Sequence, residues 1–209
     1  HLKIPGSVLT VIIKHPLNDH GKITHLRFGA IGEIDTVTAL YLGYNAAITN
    51  LSVENAKSTD ILCRDDKGRF CAIQVKTTAE DNWKTGISHK EFYDDNGQIN
   101  LTKGRKFLED NIVGPWVFVQ VGGPPVYPTF KFFILSRSEV IDMIYSNEKW
   151  YLTGYNRKTP LKGSGIICLY EAWFHGFGVS ANRNHIEWIN PFPVPQHQFE
   201  DAWHNLWID

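Results

Sequence analysis

Thr59-Asp60-Ile61-Leu62-Cys63-Arg64-Asp65-Asp66-Lys67-Gly68-Arg69-Phe70-Cys71-Ala72-Ile73-Gln74-Val75-Lys76 alternates apolar and polar residues on both sides of a short charged break. Ile61 and Cys63 are the apolar set of the first arm; Cys71, Ile73 and Val75 are that of the second. A period of two puts these on one face and Asp60, Leu62, Arg64, Ala72, Gln74 and Lys76 on the other, as in paired strands. A three-residue loop over Asp66 to Gly68 would use a type I turn followed by glycine in the left-handed region, a common hairpin connection. It closes Asp65 on Arg69, and so sets Ile61 opposite Ile73 and Asp60 opposite Gln74. A loop one residue longer would oppose polar to apolar side chains along the hairpin, because a slip of one residue exchanges the faces. The pattern thus predicts an acid, an amide and a lysine on one side of a small sheet.

Residues 28–44 have helical periodicity. At about 100° per residue, Ala30, Ile34, Val37, Leu40, Tyr41 and Tyr44 share an arc of roughly 120°. Glu33 falls inside that arc. A carboxylate on the buried stripe of a helix is costly unless an ion pair or a cation compensates it. Taken alone, Glu33 reads as well as the partner of a core arginine or lysine. Taken with Asp60 and Gln74, it reads as part of a shared metal site.

A helical Glu33, then Thr59-Asp60, then Gln74-Val75-Lys76 on the next strand resembles the PD-(D/E)XK nuclease superfamily, which has the restriction-endonuclease-like fold. Gln-Val-Lys-Thr-Thr at 74–78 is similar to a local version of its last motif, and the resemblance spans residues 27–136. Thr59 stands where the family has a structural proline, and Gln74 where it has a second Asp or Glu. Glutamine keeps a carbonyl oxygen for a hard cation but brings no charge. The resemblance implies an endonuclease that depends on Mg²⁺, with Mn²⁺ as substitute, and that hydrolyses phosphodiester bonds, in DNA above all. It implies Asp60 as a direct metal ligand, Gln74 ligating through its amide oxygen and Val75 through its backbone carbonyl. Glu33 would hold a second ion or its water. Lys76 would sit beside the attacking water as a point charge more than as a base. Thr77 and Thr78 directly follow and are placed to touch a backbone phosphate. Cutting both strands of a duplex needs two sites, so a homodimer or higher homo-oligomer is expected.

Composition sets the outer limits. With 209 residues, 43% of them apolar, and a net charge of −1, the chain can bury a sizeable core and lacks the basic coat of a non-specific nucleic-acid binder. Local cationic clusters remain at Lys103-Gly104-Arg105-Lys106 and at Arg157, Lys158 and Lys162. They read either as solvated surface or as phosphate contacts, Lys103 and Arg105 foremost. No apolar run reaches the roughly 18 residues of a membrane span, and no secretory signal is visible, so a cytoplasmic protein without a membrane partner is expected. Cys63 and Cys71 should face each other across the hairpin. Reduced core thiols fit a cytoplasmic setting better than a disulfide does. The nine histidines contain no His-Glu-x-x-His pattern, and no nucleophile elbow or phosphate loop is present.

The order of elements predicts an α/β fold, a mixed central β-sheet flanked by helices. Val8–Lys14 reads as a strand, 15–26 as a polar loop, Asn45–Thr49 as a short strand, and 79–100 as a loop or lid. Residues 101–112 read as a helix, Trp116–Val121 and Lys131–Leu135 as strands, and a helix follows with Ser138 as its cap. Residues 1–147 would form the nuclease-like core domain. Residues 148–209, rich in Trp and Pro, form an aromatic extension that either packs on the core or supplies an interface or a base-stacking surface. Two functional rivals accompany the endonuclease: a catalytically silent nuclease-fold module that binds nucleic acid or a partner protein, and a nuclease acting on RNA.

Overall fold

A computed structural model describes residues 59–64, 68–123, 129–153, 165–176 and 192–208, together with the backbone of 47–50. The readings for Val8–Lys14, for 15–26, for the helix carrying Glu33 and for Arg157, Lys158 and Lys162 lie outside these residues.

The hairpin forms in the register that its alternation demands. Strand β2 (Ile61–Arg64) runs antiparallel to β3 (Phe70–Thr78), with Ile61 opposite Ile73, Leu62 opposite Ala72, Cys63 opposite Cys71 and Arg64 opposite Phe70. Gly68 has φ +82°, the left-handed conformation expected of the loop's last residue. β1 (Ala47–Asn50) adds antiparallel to β2, and β5 (Trp116–Gly122) adds parallel to the far side of β3. Their connection contains helix α1 (Leu101–Asn111), the crossover a parallel pair requires. β6 (Thr129–Leu135) returns antiparallel to β5, which completes a mixed five-stranded sheet in the order β1-β2-β3-β5-β6. The fold is α/β.

The two faces of this sheet hold separate cores. Ile61, Cys63, Cys71, Ile73, Val75, Val117, Val119 and Ile134 point to one side, where Trp203 and Leu206 of a 3₁₀ turn (Trp203–Trp207) cover them. Trp116, Phe118, Phe133 and Leu135 point to the other, beneath α1 and helix α2 (Arg137–Thr153). Gln74 and Lys76 lie level with Trp116 and Phe118 in the parallel register, so they share this second face at its β3 edge.

Residues 79–100 differ from the expected loop. β4 (Asn82–Ser88) buries Trp83 and Thr85 while exposing Lys84 and Gly86, and a 3₁₀ turn (His89–Phe92) follows. The alternation of Trp83, Thr85 and Ile87 specifies a strand despite the polar composition. Its partner is β7 (Ile166–Tyr170), in a second, two-stranded sheet. The Trp83 indole crosses to the main sheet, donating to the Val119 carbonyl at 3.1 Å and packing edge-on against Phe118 and Phe133.

The cap of α2 is Ser136, not Ser138. Ser136 Oγ accepts from the Glu139 amide at 3.3 Å, and Glu139 Oε2 accepts from the Ser136 amide at 2.8 Å, a reciprocal capping box. Ser138 Oγ lies 3.2 Å from Ser136 Oγ. The short helix α3 (Glu171–Phe174) buries Trp173 and Phe174 against the same face as α2. Described parts of 148–209 are therefore built into both cores. Among the described residues no helix is long and apolar enough to cross a membrane.

Candidate functional site

The edge of the hairpin carries the site. β2 ends its regular pairing at Ile61, and the backbone continues one residue further, the Asp60 amide donating to the Ile73 carbonyl at 2.9 Å. That contact holds Asp60 beside Gln74, as the alternation predicts. Its side chain folds over the neighbouring strand, and Oδ2 accepts from the Val75 amide at 2.7 Å and from the Gln74 side-chain amide. Gln74 is itself anchored by its backbone amide to the Pro115 carbonyl at 3.1 Å. Lys76 lies two residues along, with Nζ 5.2 Å from the centre of the Trp116 ring, a cation–π contact.

All three polar side chains are half-buried, and their electrostatics are set by that burial. Desolvation pushes the Asp60 carboxyl above the ordinary carboxylate value, against the pull of the Val75 amide, the Lys76 ammonium and the Gln74 amide. Desolvation likewise draws the Lys76 ammonium down, against the support of Asp60. Each charge is thus costly to bury and is held in part by the other. An acid and a base whose environments oppose their charged forms are a mark of functional sites.

Other candidates are placed differently. Glu33 lies outside the described residues. Thr77 alternates onto the opposite face from Lys76, and its Oγ1 is buried with no hydrogen-bond partner among the described residues. Thr78 returns to the Lys76 side, where its hydroxyl accepts from the Glu80 amide at 3.1 Å. Lys103 Nζ donates to the Tyr93 carbonyl at 2.7 Å. Arg105 pairs with Glu109 at 2.8 Å and Asp142 at 2.5 Å, over the Tyr145 ring. Its charge is already balanced on the surface where α1 meets α2, away from the hairpin edge.

The sequence reading missed two features. Trp116 forms the apolar floor under Lys76; its only signal was its place at the start of a strand. His175, His197 and Glu200 also converge, their ligand atoms all within 4.8 Å of one another. No local spacing announces that group, because tertiary folding brings the first histidine to the other two. Comparisons with protein-family models, curated proteins and solved structures return no match to this chain.

Proposed function

We propose that the chain is a metal-dependent endonuclease of the restriction-endonuclease-like kind, acting on phosphodiester bonds in DNA. The observation that carries this reading is the Asp60 carboxylate seated on the Val75 amide, beside Gln74 and within the field of Lys76. Supporting it is the chain order around that site. An antiparallel meander leads into β3, and a crossover helix returns the chain parallel to β3 in β5, an arrangement compatible with such a core. The choice of DNA rests on the family resemblance of residues 27–136.

The donors suit a hard cation. Asp60 and Gln74 present oxygen atoms, the Val75 carbonyl adds one more, and no thiol or imidazole stands among them. Both hydrogen bonds to the Asp60 carboxylate fall on Oδ2, so a cation would meet it through Oδ1. When bound, Mg²⁺ or Mn²⁺ supplies neutralisation of phosphate charge and a lowered pKa for water. The residues of the chain do the rest. The Val75 amide fixes the Asp60 carboxylate, and the Trp116 ring holds the ammonium of Lys76 through a cation–π contact. Lys76 orients the nucleophile and stabilises the charge that builds on the phosphate. In a homodimer two such sites would face the two strands of a duplex.

Lys76→Ala tests this reading. Cleavage of duplex DNA with Mg²⁺ should fall by about 10²–10³-fold, the loss seen when one electrostatic stabiliser is removed, while the fold is kept. Equal cleavage by the variant would remove Lys76 from the mechanism. One observation favours the silent binding module: Gln74 donates to Asp60, which occupies part of the carboxylate's capacity. That alternative predicts retained binding, without cleavage, of duplex, branched and single-stranded DNA in both Mg²⁺ and Mn²⁺. RNA in the same panel separates the third reading.

A further inference from the structure

His175 follows α3, and His197 and Glu200 lie on the segment that crosses the outer edge of β6. Glu200 is held there by a backbone bridge to Phe133 of β6. His197 has φ +62°, a left-handed conformation that non-glycine residues seldom adopt. The strained turn carries its imidazole back onto its own segment, where Nδ1 meets Glu200 Oε2 at 2.6 Å. It also brings the ring to 5.3 Å, centre to centre, from the ring of His175. Strain of this sort persists where the surroundings enforce it, and it is frequent at ligand sites.

We propose that His175, His197 and Glu200 form a binding site for a transition-metal ion of the Zn²⁺ type, separate from the hard-cation site at Asp60. Two imidazoles and one carboxylate are the donor set of three-ligand zinc sites, which keep a fourth position for water. The ligand atoms lie within 4.8 Å of one another. For a tetrahedral centre with bonds of about 2.0–2.2 Å, the 2.6 Å contact of His197 with Glu200 opens as the ion replaces its hydrogen bond, and His175 moves inward.

The surroundings have the further parts such a site uses. The side chain of His175 is only 14% exposed, and Glu171 Oε1 lies 3.5 Å from its Nε2. Glu171 is in turn fixed by Lys131 at 2.9 Å and by Gln120 at 2.6 Å. A carboxylate so held behind a metal-binding histidine orients its ring. His175 also lines a cavity of about 250 Å³ with Asp81, Tyr170, Glu171 and Ala172, and the 60% exposed side chain of His197 leaves the cluster open to an ion from solvent. Binding would tie the segment 197–200 to α3 and, through Glu200, to β6.

Cobalt is the probe, because Co²⁺ in a site with few ligands gives visible absorption that Mg²⁺ and Zn²⁺ lack. The intact chain titrated with Co²⁺ should develop this absorption with one equivalent, and Zn²⁺ should displace it. His197→Ala and the near-isosteric Glu200→Gln should each weaken the binding by about tenfold or more, since loss of even an outer partner costs that much. His204→Ala, on an exposed ring away from the cluster, should bind as the parent does. Asp60→Asn should also leave the signal intact, so that a failure of the nuclease reading is distinguishable from a failure of this one. Absence of the absorption under saturating Co²⁺, or its survival in both His197→Ala and Glu200→Gln, would overturn the site.

Discussion

Asp60 is under opposed influences, and the balance makes a testable prediction. Its folded pKa is raised above the ordinary 3.8, burial being the largest cause. The folded chain therefore binds this proton more tightly than the unfolded chain does. The stabilisation is complete below about 3.8 and is lost as pH rises through the folded value. Asp60→Asn should flatten that limb and raise the melting temperature at neutral pH in the presence of chelator, read by thermal denaturation across a pH series. Adding Mg²⁺ or Mn²⁺ should stabilise the parent and leave Asp60→Asn unmoved. An unchanged response in both would dismiss Asp60 as a ligand. Lys76 has the opposite sign: its folded pKa lies below 10.5, so stability rises with pH between that lowered value and 10.5. The pairing of Asp60 with Gln74 could be read in advance because strand alternation and one glycine leave a single register. The cap of α2 was legible as well: Ser136 and Ser138 both suit an N-cap, and Glu139, three residues after Ser136, singles out Ser136 through the capping box.

At the scale of elements, packing overrides propensity. Gly104 lies inside α1, where alanine ordinarily gains about 1 kcal/mol over glycine. A Cβ at this position would fall 2.2 Å from the Phe92 ring, a buried side chain of the preceding 3₁₀ turn. Gly104→Ala should therefore destabilise, by about 1–3 kcal/mol in urea unfolding, as overpacked cores do. A gain instead would mean that Phe92 yields freely. Ser136→Ala should cost about 1 kcal/mol through loss of the capping box, and Ser138→Ala clearly less. β4 escaped the sequence reading for a related reason. Asn82, Lys84, Gly86 and Ser88 dominate its composition, while the residues that fix its conformation are the interleaved Trp83, Thr85 and Ile87. Its partner β7 lies some 80 residues further on, so the pairing leaves no local trace; the register sets Lys84 opposite Cys168.

Among the described residues a five-stranded sheet, accompanied by the two-stranded one, is sealed on both faces by segments distant in sequence. α1, α2, Trp173 and Phe174 close one face, and Trp203 and Leu206 close the other. The α/β class and the main strands were legible because each carries its own periodicity. The roles of 165–176 and 192–208 were not, because aromatic density reports burial without naming the partner. Leu206→Ala should cost about 2–5 kcal/mol, since this side chain is only 4% exposed against the hairpin. Chemical denaturation measures it, and a loss under 1 kcal/mol would show that the seal is dispensable.

The distance in sequence between the hairpin and its cover has a consequence for synthesis. Residues 59–76 leave the ribosome well before Trp203 and Leu206 are made. Until then Ile61, Cys63, Ile73 and Val117 lack the part of their cover that Trp203 and Leu206 supply. Molecular chaperones that grip apolar surfaces should hold the nascent chain until Trp203 and Leu206 emerge. Chains truncated just before Trp203 should be insoluble rather than a smaller native protein.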